Sequence, residues 1–195
     1  MQMLFKIQLL DISPAIWRKF VVPSDFSLHK FHQVIQAVMG WYDYHLYAFT
    51  IGKTRYQMPD PDDPGAAFGS RYQIVNSKKV SLEMLELLPK QQITYEYDFG
   101  DGWTHSIVFE KVINEASASD IPICLDGRRN CPPEDCGSYP GYEELCEAMK
   151  NPESKRAKEL IDWVGGVYEP EYFNLEEINF DLNSRFKRRK SKKKN

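Results

Sequence analysis

From residue 92 to residue 112 the chain reads Gln-Ile-Thr-Tyr-Glu-Tyr-Asp-Phe-Gly-Asp-Gly-Trp-Thr-His-Ser-Ile-Val-Phe-Glu-Lys-Val. Two runs that alternate apolar and polar residues flank Gly100-Asp101-Gly102. A period of two marks a strand with one buried face, and a glycine-bearing turn between two such runs predicts a β-hairpin. A three-residue loop pairs Phe99 with Trp103, Tyr97 with His105, Tyr95 with Ile107 and Ile93 with Phe109. That register gathers Ile93, Tyr95, Tyr97, Phe99, Trp103, Ile107 and Phe109, with His105, on one face. Thr94, Glu96, Asp98, Thr104, Ser106 and Glu110 take the other. A two-residue loop would set Glu96 opposite Ile107 and mix the faces. A slip of one residue turns every side chain across the sheet, so the separated register is favoured.

Other elements follow from similar signals. Residues 3–10 alternate, and 16–22 are bounded by Pro14 and Pro23, so both are expected strands. Ser27 is a natural N-cap for a helix over 28–39, where Leu28, Phe31, Val34, Ile35, Val38 and Met39 recur at helical spacing and Gly40 ends it. Residues 44–51 and 55–58 form a strand pair about Gly52-Lys53. Residues 59–70 form a Pro- and Gly-rich loop, a short helix begins near Ser81, and 113–141 form a long loop. Helices are expected over about 142–149, 154–164 and after an Asn174 cap. Strands that do not alternate strictly with helices argue for α+β. The expected architecture has a mostly antiparallel sheet, the central hairpin (about 92–112), one early helix and a helical C-terminal part, as a single domain over 1–184.

Charge is divided unevenly. Residues 185–195 hold eight of the 25 basic residues and none of the 28 acidic ones, so 1–184 carry 17 basic against 28 acidic residues, a net charge of -11. A disordered basic tail is expected there, with Arg185, Lys187, Arg188, Arg189, Lys190, Lys192, Lys193 and Lys194 available to nucleic-acid phosphates. The same tail could instead fold loosely against its own acidic body. No apolar run reaches the roughly 18 residues of a membrane span. The opening residues lack the zones of a signal peptide, so a cytoplasmic protein that spans no membrane is expected.

Cys124, Cys131 and Cys136 lie in one segment with six and four intervening residues. Clustered thiols in a reducing compartment point to metal before disulfide. A structural zinc would need a fourth ligand, either His105 from the hairpin or Cys146. The alternative is separate, apolar buried thiols, since no Cys-x2-Cys pair is present. His29 and His32 are neighbours on the expected first helix and could serve as two ligands, but more often such histidines are solvated. His45 precedes an apolar strand and carries no signal of its own. Asp98, Asp101, His105 and Glu110 crowd the hairpin and offer metal ligands or an acid/base set, although the register divides them between faces. No nucleophile elbow, Walker loop or dinucleotide fingerprint is present.

Three stretches stand out together. They are Tyr95-Glu96-Tyr97-Asp98-Phe99-Gly100-Asp101-Gly102-Trp103-Thr104-His105, Asp126 through Gly137 with Gly141-Tyr142, and Pro14-Ala15-Ile16-Trp17-Arg18 followed by Leu28-His29-Lys30-Phe31-His32. In this order they resemble the plasmid pRiA4b ORF-3-like family over about residues 3–183. The resemblance implies an α+β domain of unassigned function, found in bacteria and archaea, often on plasmids or near mobile elements. It carries over no catalytic residues. Many relatives have a second glycine where this chain has Ser138.

Pro132-Pro133-Glu134-Asp135 is stiff, because each proline fixes its own φ and restricts its predecessor. If it packs beside the hairpin tip, Asp98, Asp101, His105, Glu134 and Asp135 converge in one polar cleft. The expected function is a binding or accessory module associated with nucleic acid. The alternatives are a metal-dependent hydrolase using the hairpin carboxylates and a small-ligand-binding domain.

Overall fold

The computed structural model describes residues 1–59, 72–114 and 119–187. Eight strands form one sheet: β1 (Gln2–Leu9), β2 (Trp17–Pro23), β3 (Tyr47–Ile51), β4 (Thr54–Gln57), β5 (Gln73–Asn76), β6 (Gln92–Tyr97), β7 (Trp103–Ile113) and β8 (Ile123–Arg128). Their order is β5-β4-β3-β6-β7-β1-β2-β8. The β4–β5 pair is parallel and the others are antiparallel. Helices α1 (Leu28–Met39), α2 (Ser138–Ala148), α3 (Lys155–Val164) and α4 (Leu175–Phe186) complete an α+β fold.

The hairpin keeps its expected faces but not its expected partners. Ile93, Tyr95, Tyr97, Trp103, His105, Ile107 and Phe109 are all buried. Yet Tyr97 pairs with Trp103, Tyr95 with His105 and Ile93 with Ile107. The register has moved by two residues, which preserves parity and so preserves the faces. The cause is the loop, which spans 98–102 rather than 100–102. Asp98 turns into the left-handed region (φ 55), and its Oδ1 accepts from the backbone N–H of Gly100 (3.0 Å) and Asp101 (3.3 Å). An aspartate that binds its own downstream amides nucleates such a turn. Phe99 is thereby expelled from the strand and is 44% exposed.

Helix α1 lies as expected. Ser27 accepts from Lys30 N–H, and Gly40 ends the helix at φ 87. Its apolar stripe meets the buried sheet face, where the Phe5 ring lies 4.8 Å from Phe31 and 5.5 Å from Phe109. The opposite sheet face is polar and carries the pairs Lys19–Glu110 (2.7 Å) and Arg55–Glu96 (2.6 Å). Ser154 and Asn174 cap α3 and α4 through their side chains.

Differences from the sequence reading have local causes. β8 arises inside the segment expected to be a long loop and pairs with β2. As an edge strand it buries Cys124 and leaves Ile123 and Leu125 partly exposed, so its pattern is weak. Asn179 of α4 covers this edge: its Oδ1 accepts from Cys124 N–H (2.8 Å) and its Nδ2 donates to Cys124 C=O (2.9 Å). β5 was not expected at all. β3 starts at Tyr47 and not at Tyr44, leaving 41–46 as a loop. The expected loop over 59–70 lies, apart from Pro59, outside the described residues. Helix α4 runs past residue 185, so Arg185 is helical and pairs with Asp181 (2.8 Å). Arg188 to Lys194 lie outside the described residues.

Arg18 is the main polar feature of the interior, at 3% exposure. Its Nε donates to Val38 C=O (2.8 Å). Nη1 donates to Trp17 and Arg128 C=O (2.9 and 2.8 Å), and Nη2 to Arg129 C=O (2.7 Å) and toward Cys131 Sγ (3.6 Å). Val38 lies in the last turn of α1, where carbonyls lack helical partners. One guanidinium from β2 therefore caps α1 and holds the chain after β8.

Candidate metal centre

The segment after β8 packs against the hairpin tip. Trp41 Nε1 donates to Pro132 C=O (2.8 Å), Tyr168 OH donates to Cys131 C=O (2.8 Å), and Ser138 Oγ donates to Asp101 C=O (2.6 Å). Ser138 holds a left-handed backbone, with φ 64. The serine accepts a left-handed backbone and gains a bond that ties the arm to the tip.

At this junction His45, Asp98 and Asp135 bring one imidazole nitrogen and two carboxylate oxygens within 4.8 Å of one another. His45 Nε2 lies 3.3 Å from Asp135 Oδ1 and 3.7 Å from Asp98 Oδ2. It is shielded from solvent, and neither contact is a hydrogen bond. Asp98 is nearly buried, while Asp135 is 68% exposed at the mouth. Asp98 and Asp135 both hold left-handed backbones, with φ 55 and 59.

Glu134 stands beside this cluster in a different role. Its Oε2 accepts from Tyr42 N–H (2.9 Å), and its Oε1 accepts a short bond from Tyr97 OH, which itself accepts from Tyr44 N–H (3.1 Å). Burial, then the Glu134 carboxylate, push the Tyr97 hydroxyl well above its ordinary pKa, so the phenol remains the donor. Glu134 thus pins the loop that carries His45. The Asp101 carbonyl accepts from Ser138 Oγ, its carboxylate Oδ2 is buried without a hydrogen-bond partner, and it is not among the three converging groups.

His105 belongs to the core and not to the cleft. It is fully buried, with Nδ1 near Trp103 C=O (3.1 Å) and Tyr95 C=O (3.3 Å) and its ring edge-on to Trp41. Burial pushes its pKa down to about 3. Its folded pKa is below the ordinary 6.5, so the unfolded chain binds more protons between these values. The stability contributed by the neutral imidazole is whole above pH 6.5 and is lost as pH falls toward 3. The expected slope is about 1.4 kcal/mol per pH unit. Urea unfolding at stepped pH should show this slope, and His105→Gln should flatten it.

Cys124, Cys131, Cys136 and His105, the expected zinc ligands, are not among the groups that converge. Among the described residues His45–Asp98–Asp135 is the group of three or more ligands that converges. Cys124 Sγ contacts backbone carbonyls of Lys19 and Asp126, Cys131 lies between Arg18 and Met39, and Cys136 lies near Ser138 C=O. Burial raises all of these thiols, Cys124 to about 11 and Cys136 to about 12, and Cys146 also rises.

His29 and His32 likewise do not form a pair of ligands. His32 is fully buried, and its pKa is lowered by that burial. Its Nε2 donates to Asp43 Oδ1 (2.6 Å), and its Nδ1 accepts from Tyr95 OH (2.8 Å). Gln36 closes the ring by donating to Tyr95 OH (3.1 Å) and accepting from Asp43 N–H (3.0 Å). His29 instead meets Tyr47 OH (2.8 Å).

Sequence reasoning missed His45. Its partners are 53 and 90 positions away by number, and local patterning places it on a strand. The available signal was the Asp-Tyr-His run between the Gly40 helix stop and the first β-branched residue beyond it.

No described helix is long and apolar enough to cross a membrane. The chain is 34% identical over 179 residues, 89% of its length and 87% of the relative's, to the uncharacterized protein y4hQ of Sinorhizobium fredii (strain NBRC 101917 / NGR234). Its fold is similar to the crystal structure of MM3350, a protein of unknown function from Methanosarcina mazei Go1, with TM-score 0.76, 32% identity, and coverage of 90% of this chain and 96% of that one. Residues 2–177 match the family model described as plasmid pRiA4b ORF-3-like protein, and the chain belongs to that family.

Proposed function

We propose that the protein is a nucleic-acid-associated binding module whose folded body holds a divalent cation between His45, Asp98 and Asp135. The observation that carries this reading is the convergence of those three ligand atoms within 4.8 Å, with Nε2 shielded and without a hydrogen-bond partner. One imidazole with two carboxylates suits borderline cations such as Zn²⁺ and Mn²⁺. Three protein ligands leave positions open for an oxygen of a bound phosphate. The basic run at 187–194 supplies the second contact to a polyanion, and accords with the mobile-element setting that the family resemblance implies. A hydrolase would use the same centre, but Glu134, next to Asp135 in sequence, is already engaged by Tyr42 N–H and Tyr97 OH and is not free to act as a base. The binding reading therefore stands ahead of the hydrolytic one.

Calorimetric titration of the full chain with MnCl₂ and ZnCl₂ tests the centre. One site per chain is expected. His45→Ala and Asp98→Asn should each weaken it about tenfold or more, in the range seen when a metal's surroundings lose one polar partner. Asn preserves the amide-accepting oxygen of the turn, so the fold is kept. Wild-type protein that takes up neither ion, or variants that bind as wild type, would overturn the reading.

A further inference from the structure

The loop that carries His45 has a surface of its own. Tyr42 is 68% exposed, Tyr44 73% and Leu46 53%, and Phe99 of the adjoining hairpin tip is 44% exposed. Asp98 N–H donates to Leu46 C=O (2.9 Å), which joins loop and tip into one surface. Tyr42 and Tyr44 stack on each other at 5.8 Å and 20°. Single exposed apolar residues are ordinary, but a group of them rimmed by polar residues marks an interaction surface. The backbone beneath the two rings is held. Tyr42 N–H donates to Glu134, Asp43 N–H to Gln36 and Tyr44 N–H to Tyr97 OH. A surface set in advance loses little entropy when a partner docks on it.

The charge around the rings is negative. Asp43 lies between the tyrosines in sequence, Glu134 binds the Tyr42 amide, and Asp98 and Asp135 stand at His45, next to Tyr44 in sequence. Asp43 Oδ1 accepts from buried His32, yet its side chain is 36% exposed, and Asp135 is 68% exposed. Burial alone would raise the Asp43 carboxyl; the His32 bond, helped by His29 and Arg185, outweighs it and holds the group below its ordinary pKa. The neighbouring arginines are already matched, Arg185 with Asp181 (2.8 Å) and Arg55 with Glu96 (2.6 Å). The Arg55 guanidinium also lies over the Phe99 ring, 5.1 Å from its centre. Tyr42 and Tyr44 offer the same materials, rings beside carboxylates, but among the described residues no cation lies over either ring.

We propose that this surface docks an arginine-bearing segment of a partner polypeptide, with a guanidinium laid on the tyrosine pair and bound to Asp43, while Asp135 adds to the attraction. A guanidinium is planar and weakly hydrated, so it stacks on a ring and binds a carboxylate at once; an ammonium is a strongly hydrated point charge. The Arg55–Phe99–Glu96 trio closes this arrangement within the chain, on the same tip. Complementary charge sets both the encounter and the choice of partner, and with no cation bound the carboxylates repel a polyanion here. The inference rests on Tyr42, Tyr44 and the carboxylates beside them, and needs neither a bound cation nor the residues beyond Lys187.

Fluorescence anisotropy of a labelled peptide of alternating arginine and glycine tests it, with the full chain in EDTA and the same peptide carrying lysine as the comparison. The arginine peptide is expected to bind more tightly than the lysine peptide, and less tightly as salt rises. Tyr42→Ala with Tyr44→Ala should lower its affinity about three- to fivefold per ring, and Tyr42→Phe with Tyr44→Phe should restore it, because the phenyl face also takes a cation. Asp43→Asn should lower it about threefold. Asparagine tolerates the left-handed backbone at 43 (φ 63) and keeps an oxygen for His32, so the loop is preserved. Equal affinity for the two peptides, a double alanine variant that binds as wild type, or tighter binding of an oligothymidylate under the same conditions would overturn the proposal. Asp43→Asn leaves His45, Asp98 and Asp135 in place, so its Mn²⁺ uptake should match wild type. A wild-type chain that takes up no Mn²⁺ yet binds the arginine peptide would sink the cation centre and uphold this surface. Unfolding midpoints of the tyrosine variants should match wild type, since both rings are exposed.

Discussion

Replacing Arg18 with methionine is expected to cost the fold about 3–5 kcal/mol, the loss seen when a buried ionic group's network is broken. The side chain directs N–H groups at four backbone carbonyls and a thiol. Methionine fills a similar volume but donates nothing. The carbonyls of Trp17, Val38, Arg128 and Arg129 would be left short of a partner, at about 1–3 kcal/mol for each one left unsatisfied, reduced where the chain relaxes. Lysine offers no rescue, because a single ammonium cannot reach acceptors fanned across three chain segments. The guanidinium also lies over the Phe173 ring (4.9 Å), and Gly127 is tight beneath both, since a Cβ there would approach Phe173 Cε2 to 2.5 Å. A domain with typical total stability of about 5–15 kcal/mol would be left near the edge of folding. Urea denaturation measures it, with Lys19→Met on the polar sheet face as the comparison. A loss below about 1 kcal/mol for Arg18→Met would contradict this account.

Gly141→Ala is expected to be comparably damaging and to reach the proposed cation site as well. A Cβ at 141 would stand 1.8 Å from the Cys136 carbonyl oxygen and 2.8 Å from its carbon. Both are backbone atoms, so no side chain can swing aside. The Pro-rich arm must move away from α2, and the cost should exceed the roughly 1–3 kcal/mol of ordinary overpacking. Asp135 adjoins Cys136, so displacement there also pulls one carboxylate away from His45. The variant should unfold at lower urea and take up Mn²⁺ more weakly than wild type even where it remains folded. Gly166→Ala is the control: its Cβ would meet nothing within 4 Å, and it should stay within about 0.5 kcal/mol of wild type. Equal behaviour of the two variants would refute the crowding at 141.

The sequence displays local chemistry better than distant pairing. Ser27 and Asn174 each cap a helix where a capping side chain was expected, because a cap needs only the next three residues, and Ser154, expected as the first residue of its helix, caps it instead. The hairpin faces were legible for the same reason, as alternation encodes parity. The register was not, because two residues' difference leaves parity intact and the deciding contact, Asp98 binding the amides of Gly100 and Asp101, competes with strand formation. Strand β8 was hidden because its partner is β2, about a hundred residues earlier. At the site, the sequence reading brought Asp98 and the Glu134-Asp135 arm together through the stiffness of Pro132-Pro133. It placed His105 on the apolar face, but it could not see that Glu134 would be engaged by Tyr42 N–H and Tyr97 OH, or that His45 would arrive from a third loop.

The amide of Asn179 behaves toward Cys124 as a neighbouring strand would, giving and taking one bond each. Helix α4 therefore does two jobs: it delivers the cationic run and it seals one margin of the sheet. A chain shortened into α4 would bare the outer edge of β8, where another molecule could add a strand. Weaker nucleic-acid binding by such a fragment would then report self-association as readily as lost charge. Trimming that begins at Arg188 leaves this closure whole and isolates the contribution of the lysines and arginines beyond it.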